Sequence, residues 1–237
     1  MAAPTVIDFH SHILPALDHG CSDMEQCRKQ LSLMKASGTD MAVATSHFYP
    51  HEHEADRFIA KVDAAIEQMK QSGITDAPSI AVGAEVLLCR NLHKMQGFSE
   101  LCIRGTRVLL LELPLNPLKD AHFDTVETII NNGYTVVLAH IDRYLKKFGD
   151  EIDTFLSMGA LAQINAYSLA SGSTKKKILS YLETTDKICA IGSDLHGADE
   201  ANYKKFVKAQ KILKDFYPSI MARSRSLLGE AETVKFN

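Results

Sequence analysis

Short apolar segments of strand length alternate along this chain with longer segments of helical periodicity, and this alternation limits the possible folds more than any other feature. The apolar segments are mostly not interrupted by alternating polar residues, which is typical of strands buried on both faces of a parallel sheet. Parallel strands joined by helices form either an open doubly wound sheet or a closed barrel. The predicted strands are residues 5–9, 41–45, 79–86, 107–113, 135–140, 161–165 and 189–194.

The segments between these strands carry apolar residues at helical spacing. In residues 22–37, Ser22 or Asp23 can cap the start of a helix and Gly38 can end it. No low-complexity linker divides the chain, so we expect a single domain over residues 1–237. The predicted helices are residues 22–37, 54–72, 121–132, 148–158, 173–185 and 199–214, with a further helix from residue 217 and a less regular segment over 87–105.

Each predicted strand delivers a polar or ionisable side chain at or near its carboxyl end. In a barrel of parallel strands these ends meet at one face, where active sites lie, whereas an open sheet gathers only a few of them. We therefore predict an α/β fold in which a distorted seven-stranded parallel (β/α) barrel, similar to a TIM barrel, carries the site at the carboxyl ends of its strands. The strand-end residues are Asp8, His10, His12, Thr45, Ser46, His47, Glu85, Glu112, His140, Asp142, Arg143, Asn165, Asp194 and His196.

Two of these residues, Glu85 and Glu112, lie inside apolar strand segments. An ionised carboxylate buried alone is costly, so it must be paired, protonated or bound to a metal. No Lys or Arg recurs on these strands to pair with them, and His10 and His12 point to the same face because alternate strand residues do. Each motif alone is also compatible with a hydrogen-bonded core residue or a surface pair. Their conjunction predicts a divalent metal cluster.

The composition argues against several other classes of protein. A net charge of −3, from 26 Lys+Arg and 29 Asp+Glu, gives no basic excess for a nucleic-acid backbone. The start of the chain lacks signal-peptide features, and the longest apolar stretch, VLLLELPL, is too short to span a bilayer. Five scattered cysteines without a C-x-x-C pair indicate reduced thiols in a cytoplasmic protein. The G-x-S-x-G elbow, the P-loop and the C-x5-R loop of cysteine phosphatases are not present.

The motifs DFHSH, ATSH, GAEV, LLELP, LAHIDRY and GSDLH, in this order and spacing, resemble the PHP (polymerase and histidinol phosphatase) superfamily. Within it, the chain is most similar to the capsule-type, metal-dependent bacterial protein tyrosine phosphatases, from about residue 6 to residue 200 and beyond. The resemblance implies up to three divalent ions, with manganese the usual assumption and iron or zinc as alternatives. The implied ligands are His10, His12, Glu85 and Asp194 for one ion, Glu85, Glu112 and His140 for a second, and His47 and His196 for a third, with one ligand from the segment LDHG.

The chain departs from the pattern of this family at two places. Where members of the capsule type usually read DDG, this chain has Asp18, His19 and Gly20, so His19 takes the position of a presumed aspartate ligand and Asp18 remains the alternative. Where relatives read HPERY, this chain reads HIDRY, which keeps Arg143 but replaces the glutamate with Asp142.

The resemblance implies hydrolysis of a phosphate monoester by a hydroxide that bridges the ions. Arg143 would clamp the phosphate with its planar fork, and Asp142 or a spare histidine, such as His51 or His53, would donate a proton to the leaving group. Ser46 and Tyr49 are further candidate contacts to the substrate.

The implied substrate is a phosphotyrosine protein, the tail of a bacterial capsule or exopolysaccharide tyrosine kinase. A small-molecule phosphatase, for example one acting on histidinol phosphate, and an inactive metal-binding scaffold that docks on a kinase are the alternatives. The sequence leaves the oligomeric state open.

Overall fold

Eight parallel strands form one curled sheet in the computed structural model of this protein, which describes residues 5–170 and 172–236. The order of the strands in space is β7-β6-β5-β4-β3-β2-β1-β8, and a short β9 (Thr233–Val234) pairs antiparallel with β3. The parallel strands are β1 (Ile7–His12), β2 (Met41–Phe48), β3 (Ser79–Leu87), β4 (Val108–Glu112), β5 (Thr135–Leu138), β6 (Leu161–Asn165), β7 (Ile188–Gly192) and β8 (Leu195–His196).

The sheet closes into a barrel between its last and first strands. β8 follows β7 after two residues and pairs with β1, and the N–H of Asp194 donates to the carbonyl of His10 at 2.8 Å. Gly192 makes this approach possible, since a Cβ there would lie 2.5 Å from the Cβ of His10. The predicted (β/α) barrel is confirmed. The strand predicted over residues 189–194 ends at Gly192, however, and an eighth parallel strand begins at Leu195, because Asp194 between them adopts a left-handed backbone with φ of 52°.

The helices lie between successive strands, and their bounds agree with the prediction to within two residues. Asp23 is the N-cap of the first helix, where its side chain accepts from the N–H of Gln26 at 2.9 Å. Among the described residues, no helix is both long and apolar enough to cross a membrane. The helices are α1 (Met24–Ala36), α2 (Ala55–Gln71), α3 (Asp120–Asn131), α4 (Gly149–Ser157), α5 (Gly172–Thr184), α6 (Glu200–Leu213) and α7 (Tyr217–Leu227), and residues 87–105 form two short 3-10 turns instead.

The strands are buried on both faces, as their apolar sequences predict. All six residues of β1 are buried, although three of them, Asp8, His10 and His12, are ionisable and share one face of the strand. The opposite face carries Ile7 and Phe9, which belong to the apolar core. The outer faces of the strands therefore provide the stability of the barrel, and the inner faces are free to carry polar chemistry.

Candidate metal centre

Eight ionisable side chains from six strands or strand ends converge at the carboxyl end of the barrel. The register of the sheet sets two of these contacts, because His47 lies opposite Glu85 on neighbouring strands and His12 lies opposite His196. The cluster consists of His10, His12, His47, Glu85, Glu112, His140, Asp194 and His196, and all of these were predicted as ligands from the sequence.

Glu85 lies at the centre of the cluster. Its Oε1 is 2.6 Å from Nε2 of His140, and its Oε2 is 3.0 Å from Nδ1 of His47. Nε2 of His10 and Nε2 of His12 lie 3.2 and 3.4 Å from the same Oε2. One buried carboxylate is thus shared by four imidazoles, an arrangement suited to a ligand that bridges two ions.

Several polar atoms in the cluster are buried without a hydrogen-bond partner among the described residues. They include Nδ1 of His140 and Nε2 of His196. An unpaired buried polar atom costs about 1–3 kcal/mol, and a coordinated cation removes that cost. Imidazole and carboxylate donors suit manganese, iron and zinc, so the residues fit the divalent ions implied by the sequence.

The close ligand atoms fall into four overlapping groups, each with its atoms within 4.8 Å of one another. These groups contain the residues of the three predicted ligand sets but mix them: His10 lies with His140, His47 lies with Glu112, and His12 lies with His47 and His196. The assignment of single ions to these groups stays a prediction. The groups are His10 with Glu85 and His140, His10 with His12 and Asp194, His47 with Glu85 and Glu112, and His12 with His47 and His196.

When no cation is bound, protons on the histidines balance the negative charges of the carboxylates in the cluster. Burial opposes protonation of His10, but the charges of Glu85 and Asp194 outweigh it and raise the pKa of His10. Burial would raise the pKa of Glu85, but the charge and hydrogen bonding of His10 hold it well below its usual value. Metal binding must therefore displace histidine protons, so the affinity for a divalent ion increases with pH.

Arg143 stands at the edge of the cluster. Its Nη2 donates to Oδ2 of Asp194 at 2.6 Å, and its Nη1 lies 3.8 Å from Oε1 of Glu112. The side chain keeps 38% of its surface exposed, so the guanidinium faces both the cluster and the solvent. Arg143 is thus placed where a ligand entering the centre must meet it.

Two predicted substrate contacts, Ser46 on β2 and Tyr49 directly after it, lie in different surroundings. The ring of Tyr49 stacks on that of His47 with centroids 5.1 Å apart, and burial and the nearby Glu112 raise the pKa of Tyr49 to about 12. Ser46 is buried, and its hydroxyl has no hydrogen-bond partner in the described part of the chain. Because neighbouring residues of a strand face opposite sides, Ser46 does not share the face of His47. This geometry supports a contact role for Tyr49 and not for Ser46.

Gln163 on β6 anchors a buried amide network and is not among the site residues predicted from the sequence. Oε1 of Gln163 accepts from the N–H of His140 at 2.6 Å and lies 3.2 Å from Nδ1 of His10. Its Nε2 donates to Oδ1 of Asn165, which in turn donates from Nδ2 to Oδ2 of Asp194 at 2.8 Å. Gln163 therefore fixes the orientation of His10, whose Nε2 is left to face the cluster.

The same network supports a strained backbone. His140 has a φ of 31°, in the left-handed region that costs a non-glycine residue about 1 kcal/mol or more. The hydrogen bond from its N–H to Gln163 holds this conformation. The signal in the sequence was a glutamine within the apolar segment LAQIN, on a strand that also ends in a polar residue.

The comparison with known families agrees with this geometry. The family model described as "Capsular polysaccharide synthesis, CpsB/CapC" matches residues 6–223.

The chain belongs to the CpsB/CapC family.

Named relatives of this CpsB/CapC protein are tyrosine phosphatases. The tyrosine-protein phosphatase CpsB of Streptococcus pneumoniae is 27% identical over 211 residues, which cover 82% of this chain and 84% of the relative. The tyrosine-protein phosphatase YwqE of Bacillus subtilis (strain 168) is 25% identical over 245 residues, which cover 97% and 93%. The resemblance predicted from the motifs is confirmed.

The fold of the family agrees as well. A structure described as belonging to "YwqE from Bacillus subtilis and CpsB from Streptococcus pneumoniae, unique metal-dependent tyrosine phosphatases" superposes with a TM-score of 0.78. The superposition covers 96% of each chain at 20% sequence identity. At this identity the likeness establishes the shared fold.

Asp18, which precedes the first departure from the family pattern at His19, supports its neighbours through hydrogen bonds. Its Oδ2 lies 2.7 Å from Nδ1 of His12 and accepts from the N–H of His47, and its Oδ1 accepts from the N–H of Gly20. Burial would raise the pKa of Asp18, but these partners, His12 above all, lower it. With both oxygens engaged, Asp18 is placed to orient His12 rather than to bind an ion.

His19 lies beside the outermost ligand group. Its ring is stacked 4.6 Å from the ring of His196 and 4.7 Å from that of His47, and its side chain is exposed. Burial and the charge of His12 lower the pKa of His196 to about 4, so that histidine is neutral and can bind a metal at neutral pH. His19 belongs to none of the four close ligand groups, so the identity of the ligand from the LDHG segment stays a prediction.

We expect the His19→Ala variant to bind about one ion fewer per chain than the wild type, because the third ion loses its ligand from this loop. Elemental analysis of the dialysed, manganese-loaded protein measures this. His19→Asp, which restores a carboxylate at this position, should bind the full complement. His51→Ala is the matched control, since His51 is exposed on the next loop. Unchanged metal content in His19→Ala would show that His19 is not a ligand.

Asp142, the second departure, faces away from the cluster. Its Oδ1 accepts from the N–H of Asn165 at 2.8 Å, and its Oδ2 accepts from the hydroxyl of Ser168 at 2.5 Å. Burial raises the pKa of Asp142 despite these bonds. The carboxylate ties the loop after β5 to the loop after β6 and thereby helps to hold Arg143. This placement does not support the predicted role of Asp142 as a proton donor to the substrate.

Proposed function

We propose that this protein is a metal-dependent phosphatase that hydrolyses phosphotyrosine in proteins, with the tail of a bacterial tyrosine kinase of capsule or exopolysaccharide synthesis as its substrate. The observation that carries the proposal is the cluster of five histidines and three carboxylates at the carboxyl end of the barrel. The relatives named as tyrosine-protein phosphatases support the same activity. We further propose that residues 1–237 act as one domain in the cytoplasm.

The charge of the proposed centre suits a phosphate monoester. Up to three divalent ions, manganese in our proposal with iron or zinc as alternatives, would supply a Lewis acid and lower the pKa of water. His10, His12, Glu85 and Asp194 would hold them, together with Glu112, His140, His47, His196 and a ligand from the loop of His19. The three carboxylates of this set offset only part of the charge of the ions, so the centre would attract a dianion.

Arg143 would bind the phosphoryl group. Its bond to Asp194 fixes one side of the guanidinium, and the exposed side keeps N–H groups for two phosphoryl oxygens. Because the planar fork presents donors in pairs, Arg143 would orient the phosphate as well as attract it.

The surroundings of the leaving group favour an aryl ester. A phenolate leaves without a strong acid, whereas an alkoxide needs a proton donor. Asp142 is buried away from the cluster, and Nδ1 of His53 accepts from the N–H of Tyr49 at 3.1 Å. The ring of Tyr49, stacked on His47, would flank the phenyl ring of the substrate. These positions support phosphotyrosine over the alkyl ester histidinol phosphate.

The activity is tested with the manganese-loaded protein on phosphotyrosine peptides, p-nitrophenyl phosphate and histidinol phosphate. We expect hydrolysis of both aryl esters, loss of activity after chelation and recovery when manganese is returned. Hydrolysis of histidinol phosphate alone would support the small-molecule alternative. Full metal occupancy without hydrolysis of any aryl phosphate would support the inactive scaffold and overturn the proposal.

A further inference from the structure

Leu115 is an exposed apolar residue at the mouth of the metal centre. Its relative exposure is 75%, and no other large apolar residue in the described ranges is exposed to this degree. It follows the end of β4, three residues after Glu112 of the cluster. A large apolar side chain held in solvent beside an active site is a candidate contact for a bound partner.

Two hydrogen bonds join the loop of Leu115 to the loop after β5, and a third joins that second loop to α5. The hydroxyl of Tyr144 donates to the carbonyl of Leu113 at 2.7 Å, and Nζ of Lys147 donates to the carbonyl of Leu115 at 2.9 Å. On the other side, Nζ of Lys177 donates to the carbonyl of Leu145 at 3.0 Å. The loops after β4 and β5 and the start of α5 thus form one continuous surface.

This surface is strongly cationic. Residues 113–119, 143–149 and 172–182 contain seven Lys or Arg and no Asp or Glu, and the acidic residues that flank these ranges are Glu112 of the cluster, Asp120, the buried Asp142, Asp150 and Glu183. We call the part of it formed by Leu115, Lys146, Lys147, Lys176 and Lys177 the cationic rim.

The cationic rim has features that stability does not explain. The first turns of α5 carry lysines and no acidic residue, which is unfavourable for the dipole of a helix. Lys146 and Lys176 form no ion pair within the described residues, and both are exposed. Across the mouth, the loop of Glu52 and Glu54 before α2 is acidic instead. The two sides of the entrance therefore carry opposite charge.

We propose that the cationic rim binds an acidic segment of the protein substrate next to the phosphotyrosine, with Leu115 packing on an apolar side chain of that segment. The inference rests on the proposed function and specifies the class of substrate for the same site. A peptide whose phosphate reaches Arg143 lies next to the rim, because Lys146 and Lys147 share the loop after β5 with Arg143 and Lys177 is bonded to the carbonyl of Leu145 in that loop. Acidic residues on that side of the phosphotyrosine are attracted to the rim lysines, whereas basic residues are repelled by them.

The proposal is tested with two phosphotyrosine peptides that differ only in flanking residues, aspartate in one and asparagine in the other. The wild type should hydrolyse the acidic peptide with the higher kcat/KM, and the preference should shrink between about 0.05 M and about 0.5 M salt. In the double variant Lys146→Glu/Lys176→Glu, the kcat/KM for the acidic peptide relative to that for p-nitrophenyl phosphate should fall about tenfold, mainly through KM. Leu115→Ser should lower the same ratio about threefold for both peptides.

The matched control is Lys70→Glu/Lys211→Glu, which makes the same change of charge on exposed lysines near the carboxyl ends of α2 and α6. Those helix ends lie at the opposite end of the barrel, since the helices run back against the strands. The control should keep the preference of the wild type. Equal kcat/KM for the two peptides, or an unchanged ratio in the rim variant, would overturn the proposal while leaving the phosphatase activity in place. Failure to hydrolyse any aryl phosphate would instead overturn the proposed function.

An anionic membrane could also attract a basic surface with an exposed leucine. Sedimentation with vesicles of phosphatidylcholine and phosphatidylglycerol distinguishes a membrane partner from a peptide partner. We expect no binding at physiological salt beyond that of the control variant. Vesicle binding that is lost in the rim variant, with an unchanged peptide ratio, would overturn the peptide proposal in favour of a membrane.

Discussion

The Glu85→Gln variant is expected to lose at least about a thousandfold in kcat/KM for p-nitrophenyl phosphate and to bind fewer ions per chain. Loss of a residue that only orients a metal ligand lowers metal affinity or activity about 10- to 100-fold. Glu85 should have a larger effect, because its own carboxylate lies beside four histidines of the cluster. Glutamine keeps the shape of the side chain but removes the charge that bridging requires. Kinetics together with elemental analysis measures both losses.

Thermal unfolding separates this effect from misfolding of the Glu85→Gln variant. With a chelator present, the variant and the wild type should both unfold cooperatively, and added manganese should raise the unfolding temperature of the wild type more. Glu127→Gln, on the exposed surface of α3, is the matched control and should behave as the wild type. Normal metal content and normal kcat/KM in Glu85→Gln would show that the cluster is not the catalytic centre.

The Gln163→Leu variant is expected to lose about a hundredfold in kcat/KM and to bind manganese more weakly. Leucine has a similar size but leaves the N–H of His140 and Nδ1 of His10 without their shared acceptor. The rings would then no longer be fixed with their Nε2 atoms toward Glu85. Kinetic assays over a manganese titration separate weaker binding of the metal from slower catalysis at saturation.

Two further variants distinguish positioning from a general loss of stability. Gln163→Glu keeps the acceptor oxygen and should recover much of the metal affinity. Ser224→Ala removes a different buried hydrogen bond, from the hydroxyl of Ser224 to the carbonyl of Cys189, and should lower stability without lowering manganese affinity. If Gln163→Leu binds manganese as tightly as Ser224→Ala does, Gln163 has no positioning role.

The barrel and the membership of the cluster could be predicted from the sequence because both depend on local patterns. Unbroken apolar segments indicate strands buried on both faces, and polar residues at their ends mark one face of the barrel. The energetic argument on Glu85 and Glu112 needed only their apolar neighbours in sequence. Both residues lie in the cluster.

The orientation of side chains could not be predicted in the same way. Asp142 and Arg143 are neighbours in sequence. The carboxylate of Asp142 nevertheless accepts a hydrogen bond from the N–H of Asn165, whereas the guanidinium of Arg143 donates to Asp194. The difference arises from the short 3-10 turn Ile141–Arg143, which begins after the left-handed His140. Ser46 is a predicted substrate contact, but β2 extends past Ser46 and His47 and turns them to opposite faces.

The seam that closes the barrel joins the start of the chain to its late part. The N–H of Ser193 donates to Asp8 at 2.8 Å, although the two residues are 185 positions apart. At the rate of protein synthesis, this stretch takes roughly 10 to 40 s to emerge from the ribosome. The ligand set that includes His10 and His12 therefore lacks Asp194 and His196 during most of synthesis. It is complete only once the last parallel strand is in place. A nearly finished chain, and not a nascent one, is therefore the first to offer the complete set of ligands to an ion.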